Sequence, residues 1–347
     1  MQALILAGGK GTRLRPLTVY TPKPIVPVCN QPLLLSQIEI LKQAGITDIT
    51  LSLNYQPDKI EHVFNQLNLG VNIRYLTEPT PMGTAGAYKY AADFLKMTTA
   101  VFNGDILTDL DLTQVITQHQ SQKSAATIVL TPVENPAAYG LVNTDLDNRV
   151  TRFLEKPTAT DIEAAPLKTI NAGIYLLEPE LLDLIPENSN YSFEYALFPS
   201  LLEREIKFDA FISENSYWMD VGTPHRYWQA HQDLLAGKVK NFPFGPRRGQ
   251  EADIAHTADV DKISIIADDC IIKPGARVTN SVLGTGVYVE EKATIENSVV
   301  WSHTRINNNA TIINSVIGRG CHIGRFAHVG SNSILGDKTS LTDYTNA

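Results

Sequence analysis

Leu6-Ala-Gly-Gly-Lys-Gly-Thr-Arg-Leu-Arg-Pro-Leu-Thr18, with Pro22-Lys-Pro24 close behind, is the stretch on which the reading of the chain turns. It follows Ala3-Leu-Ile-Leu-Ala7, an apolar run of the length expected for a buried strand. Gly8, Gly9 and Gly11 remove the side chains that would keep an anion from the backbone N–H groups, so the loop can cradle a phosphate. Lys10, Arg13, Arg15 and Lys23 add cations to the same segment. The Walker A pattern is absent, since no glycine precedes at the required distance and Gly11 rather than Ser or Thr follows Lys10. The third glycine of the dinucleotide fingerprint is absent too.

Downstream, the pattern alternates. Pro32 to Leu41 places Leu34, Ile38 and Leu41 on one helical face, and Gly45 is a plausible stop. Ile49 to Asn54 alternates as a strand, Asp58 to Leu67 reads as a helix, and Val71 to Tyr75 alternates again. Gly86 to Leu95 reads as a helix and Thr99 to Asn103 as a strand ending at Gly104-Asp105. Strands Thr127–Leu130, Gly140–Val142 and Gly173–Leu177 extend the sheet, followed by a helix from Glu194 to Glu205 and a strand at Asp209–Ile212. A helix from Pro224 to Leu235 closes this part. Such alternation predicts an α/β fold, a Rossmann-like, mixed but mostly parallel sheet covered on both faces. Ligands of such sheets lie beyond the carboxyl ends of the strands. The glycine loop and Gly104-Asp105 both fall there.

The remainder repeats. Asn280-Ser-Val282, Asn297-Ser-Val299 and Asn314-Ser-Val316 recur every 17 residues, and Asn332-Ser-Ile334 follows after 18. Two apolar series keep step: Ile272, Val289, Ile306, Ile323 and Val278, Ile295, Ile312, Val329. Within each coil the two lie 6 residues apart, the hexapeptide period of a parallel β-helix of about five coils. One coil cannot bury its own face, so the coils must stack. The predicted organisation is a first domain over 1–240, a Gly/Pro/Arg-rich linker over 241–250 and a β-helix over 251–347. The chain stops at Thr342-Asp-Tyr-Thr-Asn-Ala347 without an amphipathic cap, as in a chain that continues or whose end a neighbour covers.

A length of 347 residues favours two domains, and 43% hydrophobic with 19% charged residues describes a soluble globular protein. The net charge of −8, with no basic stripe, argues against nucleic acid as a partner. Cys29, Cys270 and Cys321 form neither a zinc pattern nor a disulfide framework, which favours a cytoplasmic setting. The first apolar run is too soon interrupted by charge for a signal peptide, and nothing approaches a membrane span.

With Thr12-Arg13 and Pro22-Lys23-Pro24 at this spacing, the opening segment closely resembles the signature of the sugar-nucleotide pyrophosphorylases. Glu155-Lys-Pro157 and Asn171-Ala-Gly173 follow in family order, and the resemblance runs from residue 1 to about 235. The repeats resemble left-handed β-helices. The resemblance implies attack by a sugar 1-phosphate on the α-phosphorus of a nucleoside triphosphate, with pyrophosphate leaving in line. It implies that Leu6, Ala7, Gly8, Gly9, Gly11 and Thr12 bind the nucleotide, Arg13 the leaving phosphates, and Lys23 the α-phosphate and sugar phosphate. Lys156 would orient the nucleophile, while Gly140, Glu155 and Asn171 would meet the sugar. Mg²⁺ is the implied cofactor, on Asp105 and Asp220, since magnesium favours one or two carboxylates with phosphate oxygens.

Glu78, with Gly83 and Thr84 behind it, resembles the base-recognition segment. Members using uridine or thymidine nucleotides commonly have Gln there. A carboxylate suits the two neighbouring donors of guanine, so the segment looks like that of the mannose-1-phosphate guanylyltransferases. UDP- or dTDP-glucose synthesis by the same mechanism stays open, as does a non-catalytic paralogue that binds sugar nucleotides. So does a second, acyl-transferring activity of the β-helix, on account of His303, His322 and His328. A homo-oligomer formed through the β-helix is expected.

Overall fold

Ala3, Leu4 and Ile5 are all fully buried, so the first strand has no solvated face and belongs inside a covered sheet. The computed structural model describes residues 1–137, 139–154, 157–164, 168–330 and 332–347. Its strands are β1 (Gln2–Leu6), β2 (Pro27–Val28), β3 (Gln31–Pro32), β4 (Asp48–Leu53), β5 (Asn72–Thr77), β6 (Thr99–Asn103) and β7 (Ile106–Thr108). Next come β8 (Ala126–Pro132), β9 (Leu141–Thr144), β10 (Val150–Leu154), β11 (Thr169–Leu177), β12 (Phe208–Ile212) and β13 (Trp218–Asp220). The helices are α1 (Leu33–Gln43), α2 (Pro57–Asn65), α3 (Gly83–Tyr90), α4 (Leu112–Gln122), α5 (Ala159–Ala164), α6 (Phe198–Glu203) and α7 (Pro224–Leu235).

The chain divides into two compact units, one of residues 1–9 and 37–218, the other of residues 10–36 and 219–347. The first holds a nine-stranded sheet whose main path runs β10-β9-β11-β6-β1-β4-β5, with β8 paired to β11 and β12. β6, β1, β4 and β5 are mutually parallel, and β11 adds antiparallel to β6. The expected mixed, mostly parallel sheet is therefore present at the positions that set the site.

Two expectations are corrected, and one helix was not expected. The helix expected from Gly86 starts at Gly83, where φ is +72°, because the Ala85 and Gly86 N–H groups both donate to the Tyr191 carbonyl. The helix expected from Glu194 is split into a π turn, Phe193–Leu197, and α6. Pro199 has no N–H to give the preceding turn, so a new helix starts around it. The apolar pattern does not predict α4, because Leu112-Thr-Gln-Val-Ile-Thr-Gln-His-Gln-Ser-Gln122 is mostly polar; its N-cap Asp111 accepts from Thr113 N–H (3.0 Å).

In the second unit, three parallel sheets of six, five and five short strands form a β-helix. Ile272 pairs with Val289, Val289 with Ile306 and Ile306 with Ile323, while Val278, Ile295, Ile312 and Val329 stack along a second sheet. Both series are buried. The corners explain the Asn-Ser-Val repeat. Asn280, Asn297, Asn314 and Asn332 adopt φ of 46°, 47°, 46° and 68°, the left-handed conformation that asparagine tolerates. Ser281, Ser298 and Ser315 are fully buried, and their hydroxyls satisfy the chain within and between coils. The Ser298 N–H donates to Ser281 Oγ (3.0 Å) and Ser315 N–H to Ser298 Oγ (3.1 Å). Residues 10–36 and α7 pack in this unit with the β-helix, although the sequence patterns change near 240.

Candidate functional site

Four neighbouring parallel strands deliver their carboxyl ends to one edge of the first unit. Leu6 is in register with Asn103 on one side and Ser52 on the other. The Gly104 N–H donates to Leu6 O (2.9 Å), Ala7 N–H to Ser52 O (2.9 Å) and Glu78 N–H to Leu53 O (2.7 Å). Gly8-Gly9, Gly104-Asp105 and Glu78 thus leave the sheet together, at the place where open α/β sheets bind ligands. A Cβ at Gly8 would lie 3.2 Å from Asn54 Cβ and 3.3 Å from Glu78 Oε1. At Gly9 it would meet nothing within 4 Å, so the loop turns an open backbone outward there.

Glu78 is only 8% exposed. Its carboxylate accepts from Ser52 Oγ (2.7 Å) and Met82 N–H (3.1 Å). An ionised carboxylate offers about four acceptor sites, so two bonds hold it in place without exhausting it. Thr84, by contrast, is committed by its side chain to the 189–194 segment. Its hydroxyl donates to Glu194 Oε2 (3.0 Å) and accepts from Phe193 N–H (2.9 Å). A Cβ on Gly83 would meet Tyr191 O at 2.6 Å, so this glycine serves the close approach of the same segment.

The turn after β6 is braced from two sides. Gln37, fully buried on α1, donates through Nε2 to both Asn103 O and Ile106 O (2.9 Å each), the carbonyls on either side of Asp105. Gly173, at φ +70°, brings β11 so close that a Cβ would be 2.6 Å from Asn103 Nδ2 and from Ile106 Cδ1. Asn171 accepts from Gly173 N–H (2.8 Å) and donates to Tyr175 Oη (2.9 Å), and its own N–H donates to Gly140 O (3.0 Å). Trp218 Nε1 donates to Ala172 O (2.9 Å), and Tyr139 meets the Trp218 ring edge-on at 5.6 Å. Gly140, Asn171 and Asp105 are therefore gathered around one bulged stretch of β11. Gln37→Met keeps the shape of the side chain but orphans two buried carbonyls, which costs about 2 kcal/mol. Stability to urea and turnover of this variant should both fall, and an unchanged pair of values would remove the brace from the site.

In the second unit, Gly11 (φ +63°) caps the turn Thr12–Leu14, and Thr18 Oγ1 donates to its carbonyl (2.6 Å). Arg13 is exposed and Lys23 buried. A Cβ at Gly11 would sit 3.1 Å from Lys23 Cβ, so the two turns pack on each other. Asp220 Oδ2 accepts from Arg226 Nη1 (3.2 Å), and Gly222 leaves room for that carboxylate, since a Cβ would lie 2.5 Å from Oδ1. Glu155 and Lys156 lie outside the described residues.

The donors suit a hard divalent cation. Asp105 offers a carboxylate, and Gln37 Oε1 and Asn103 Oδ1, both beside its turn, are buried acceptors with no hydrogen-bond partner among the described residues; Asp220 is a carboxylate of the second unit. Oxygen donors of this kind match magnesium with its water shell. Gln37 and Ser52 escaped the reading of the sequence. The available signal for Gln37 was an amide on the apolar face of α1; for Ser52 there was none beyond a polar residue inside a buried strand.

Residues 2–237 match the nucleotidyl transferase family model, and residues 247–346 match the left-handed β-helix (LbH) domain model of the EIF2B epsilon subunit. The mannose-1-phosphate guanylyltransferase of Mycobacterium tuberculosis is 36% identical over 298 residues, covering 84% of this chain and 81% of its own. The Saccharomyces cerevisiae mannose-1-phosphate guanyltransferase is 40% identical over 248 residues, covering 69% and 64%. Among solved structures, HddC from Yersinia pseudotuberculosis complexed with GMP-PN superposes with a TM-score of 0.58 at 30% identity. That match covers 67% of this chain and 99% of HddC.

Proposed function

The chain belongs to the nucleotidyl transferase family, and from that premise we propose that it joins mannose 1-phosphate to GTP, giving GDP-mannose and pyrophosphate. The observation that carries the reading is the emergence of the open Gly8-Gly9 backbone, the braced Asp105 turn and buried Glu78 from adjacent strand ends. Nucleophile and leaving group are both anions at neutral pH, so the barrier is the approach of two polyanions. Positioning and charge neutralisation then carry catalysis. Backbone N–H groups of residues 6–12 hold the triphosphate, Arg13 meets the departing phosphates, and Lys23 lies between α-phosphate and sugar phosphate. Lys156 aims the attacking oxygen, while Gly140, Glu155 and Asn171 take the sugar. Asp105 and Asp220 would hold Mg²⁺, which when bound supplies charge neutralisation at phosphate oxygens.

Guanine is favoured because Glu78 is a buried, pre-oriented acceptor, and because the relatives named above bear guanylyltransferase names. Glu78→Gln should lower the preference for GTP over UTP by roughly 10- to 100-fold, the worth of a charge-assisted hydrogen bond. The ratio of kcat/KM values measures it, and an unchanged ratio overturns the base assignment. The enzyme reading is tested by pyrophosphate release from GTP, UTP, dTTP, ATP and CTP, each paired with mannose 1-phosphate and glucose 1-phosphate. Release with UTP or dTTP and glucose 1-phosphate would keep the mechanism and change the substrates. No release by folded protein would favour a sugar-nucleotide-binding role.

The proposal includes a catalytic domain to about residue 240 and a cytoplasmic setting, in keeping with three free, buried cysteines. Among the described residues no helix is long and apolar enough to cross a membrane. A homo-oligomer through the β-helix is also proposed. Phe326 and Tyr344 stack at 5.2 Å yet stay 50% and 74% exposed, an apolar pair that a second copy could cover.

A further inference from the structure

We propose that the β-helix takes part in the reaction by holding the phosphate-binding segment 10–36, with Trp301 and Asn30 as positioning residues for Lys23 and Arg13. The inference rests on the nucleotidyltransferase reading of those two cations. β2 and β3 form a hairpin whose two turn residues, Cys29 and Asn30, have φ of 46° and 65°, the geometry of a tight two-residue turn. The tip docks on the β-helix, where Asn30 Nδ2 donates to Leu283 O (2.9 Å). Behind it, Trp301 Nε1 donates to Tyr227 Oη (2.9 Å), and the Tyr227 hydroxyl donates in turn to Pro27 O. His231, one turn further along α7, accepts from Cys29 N–H (3.1 Å). Nearer the start of the segment, Pro16 lies against Gly336, where an added Cβ would be 3.1 Å from Pro16 Cβ.

Leu283 ends one strand of a single β-helix sheet, and Trp301 and Gly336 each follow directly on another, so one side of the prism meets the segment along several coils. Cys29, Tyr227, His231 and Trp301 are each at most 2% exposed. Buried polar networks of this kind fix one register, because slippage would strand their donors and acceptors. The anchor reaches Lys23 directly. The turn Lys23–Ile25 runs straight into β2, Val26 N–H donates to Lys23 O (3.2 Å), and Leu33 N–H returns to Val26 O (3.1 Å). Lys23 Cβ in turn abuts Gly11, the cap of the turn that bears Arg13. A shift of Pro27 therefore moves both cations, and misplacement near 1 Å can cost about 10²-fold in rate.

Asn30→Gly keeps the positive φ and deletes only the amide. Trp301→Phe keeps an aromatic ring and deletes the N–H. In the full chain, each variant should exchange the amides of residues 16–31 about tenfold faster. Each should also bind inorganic pyrophosphate about tenfold more weakly by calorimetry, with a similar fall in kcat/KM for the nucleoside triphosphate. Ile312→Val, in the β-helix core away from the anchor, is the control: it should lower the melting temperature and leave pyrophosphate affinity alone. Unchanged exchange and affinity in both anchor variants would overturn the proposal. So would an equal loss of affinity in the control, or a wild-type protein that binds no pyrophosphate. If wild type binds pyrophosphate but turns over no substrate pair, the activity reading fails while exchange and affinity still decide the anchoring role.

Discussion

Lys23→Met should lower kcat/KM by two to three orders of magnitude while the melting temperature stays within a few degrees of wild type. The side chain is 8% exposed, so its stem is packed, and methionine reproduces most of that packing without the ammonium group. On the proposed function, what is lost is a fixed positive charge in a site where two polyanions must meet. Removing one preorganised charge-stabilising group from a water-poor site typically costs about 3–4 kcal/mol in the transition state, roughly 10²–10³ in rate. Because the charge matters most as the α-phosphorus changes partners, kcat should carry much of the loss. Steady-state kinetics with GTP and mannose 1-phosphate, alongside a melting curve, check both halves. A fall below tenfold in a folded variant would exclude Lys23 from the reaction centre. A large fall with unchanged kcat would make it a ground-state binding residue only.

Much of the frame was legible because it is written locally. Ala3-Leu-Ile5 announces a strand covered on both faces, and the Asn-Ser-Val repeat announces corners, since each Asn must take a positive φ while each Ser closes backbone bonds inside a coil. The glycine loop and Gly104-Asp105 were legible for a related reason: both interrupt apolar strands at the end where open sheets bind ligands. The brace and the anchor were not. Gln37 sits in a helix whose periodicity reads as apolar, and only the fold reveals that its amide faces the two carbonyls around Asp105. The docking of segment 10–36 on the β-helix joins residues as far apart in sequence as Asn30 and Leu283, and no local pattern encodes such a partner. Tertiary context likewise moved the start of α3, whose first N–H groups find Tyr191 O rather than a side-chain cap.

The buried anchor also predicts how the protein responds to acid. His231 is fully buried, with Nδ1–H donating to Tyr227 O (2.8 Å) and Nε2 accepting from Cys29 N–H (3.1 Å), an arrangement that only the neutral ring can make. Burial lowers its pKa from 6.5 to about 4, against smaller opposing effects of its backbone bonds to Tyr227 and Pro27. Between those two values the unfolded chain binds a proton that the folded chain refuses, so stability falls as pH falls through this window. The contribution is complete above about 6.5 and has vanished near 4. Its size is roughly 3 kcal/mol, since each pH unit between the two values is worth about 1.4 kcal/mol. His231→Gln can place a carbonyl oxygen and an amide in similar positions and does not titrate. Urea unfolding at intervals from about pH 7 to about pH 4 should therefore show wild type losing about 3 kcal/mol more than the variant. Asp111, Asp161, Asp261 and Asp343 all titrate lower in the folded protein than alone, so their stabilisation is lost only as pH falls below the ordinary aspartate range. Both proteins share them, so their effect cancels in the comparison. Parallel curves would mean that His231 takes up its proton equally in the folded and unfolded chain, so that its burial and its Cys29 bond add nothing to the acid response. A divergence confined to this window would place the first acid-sensitive joint of the molecule where the hairpin following Lys23 meets α7.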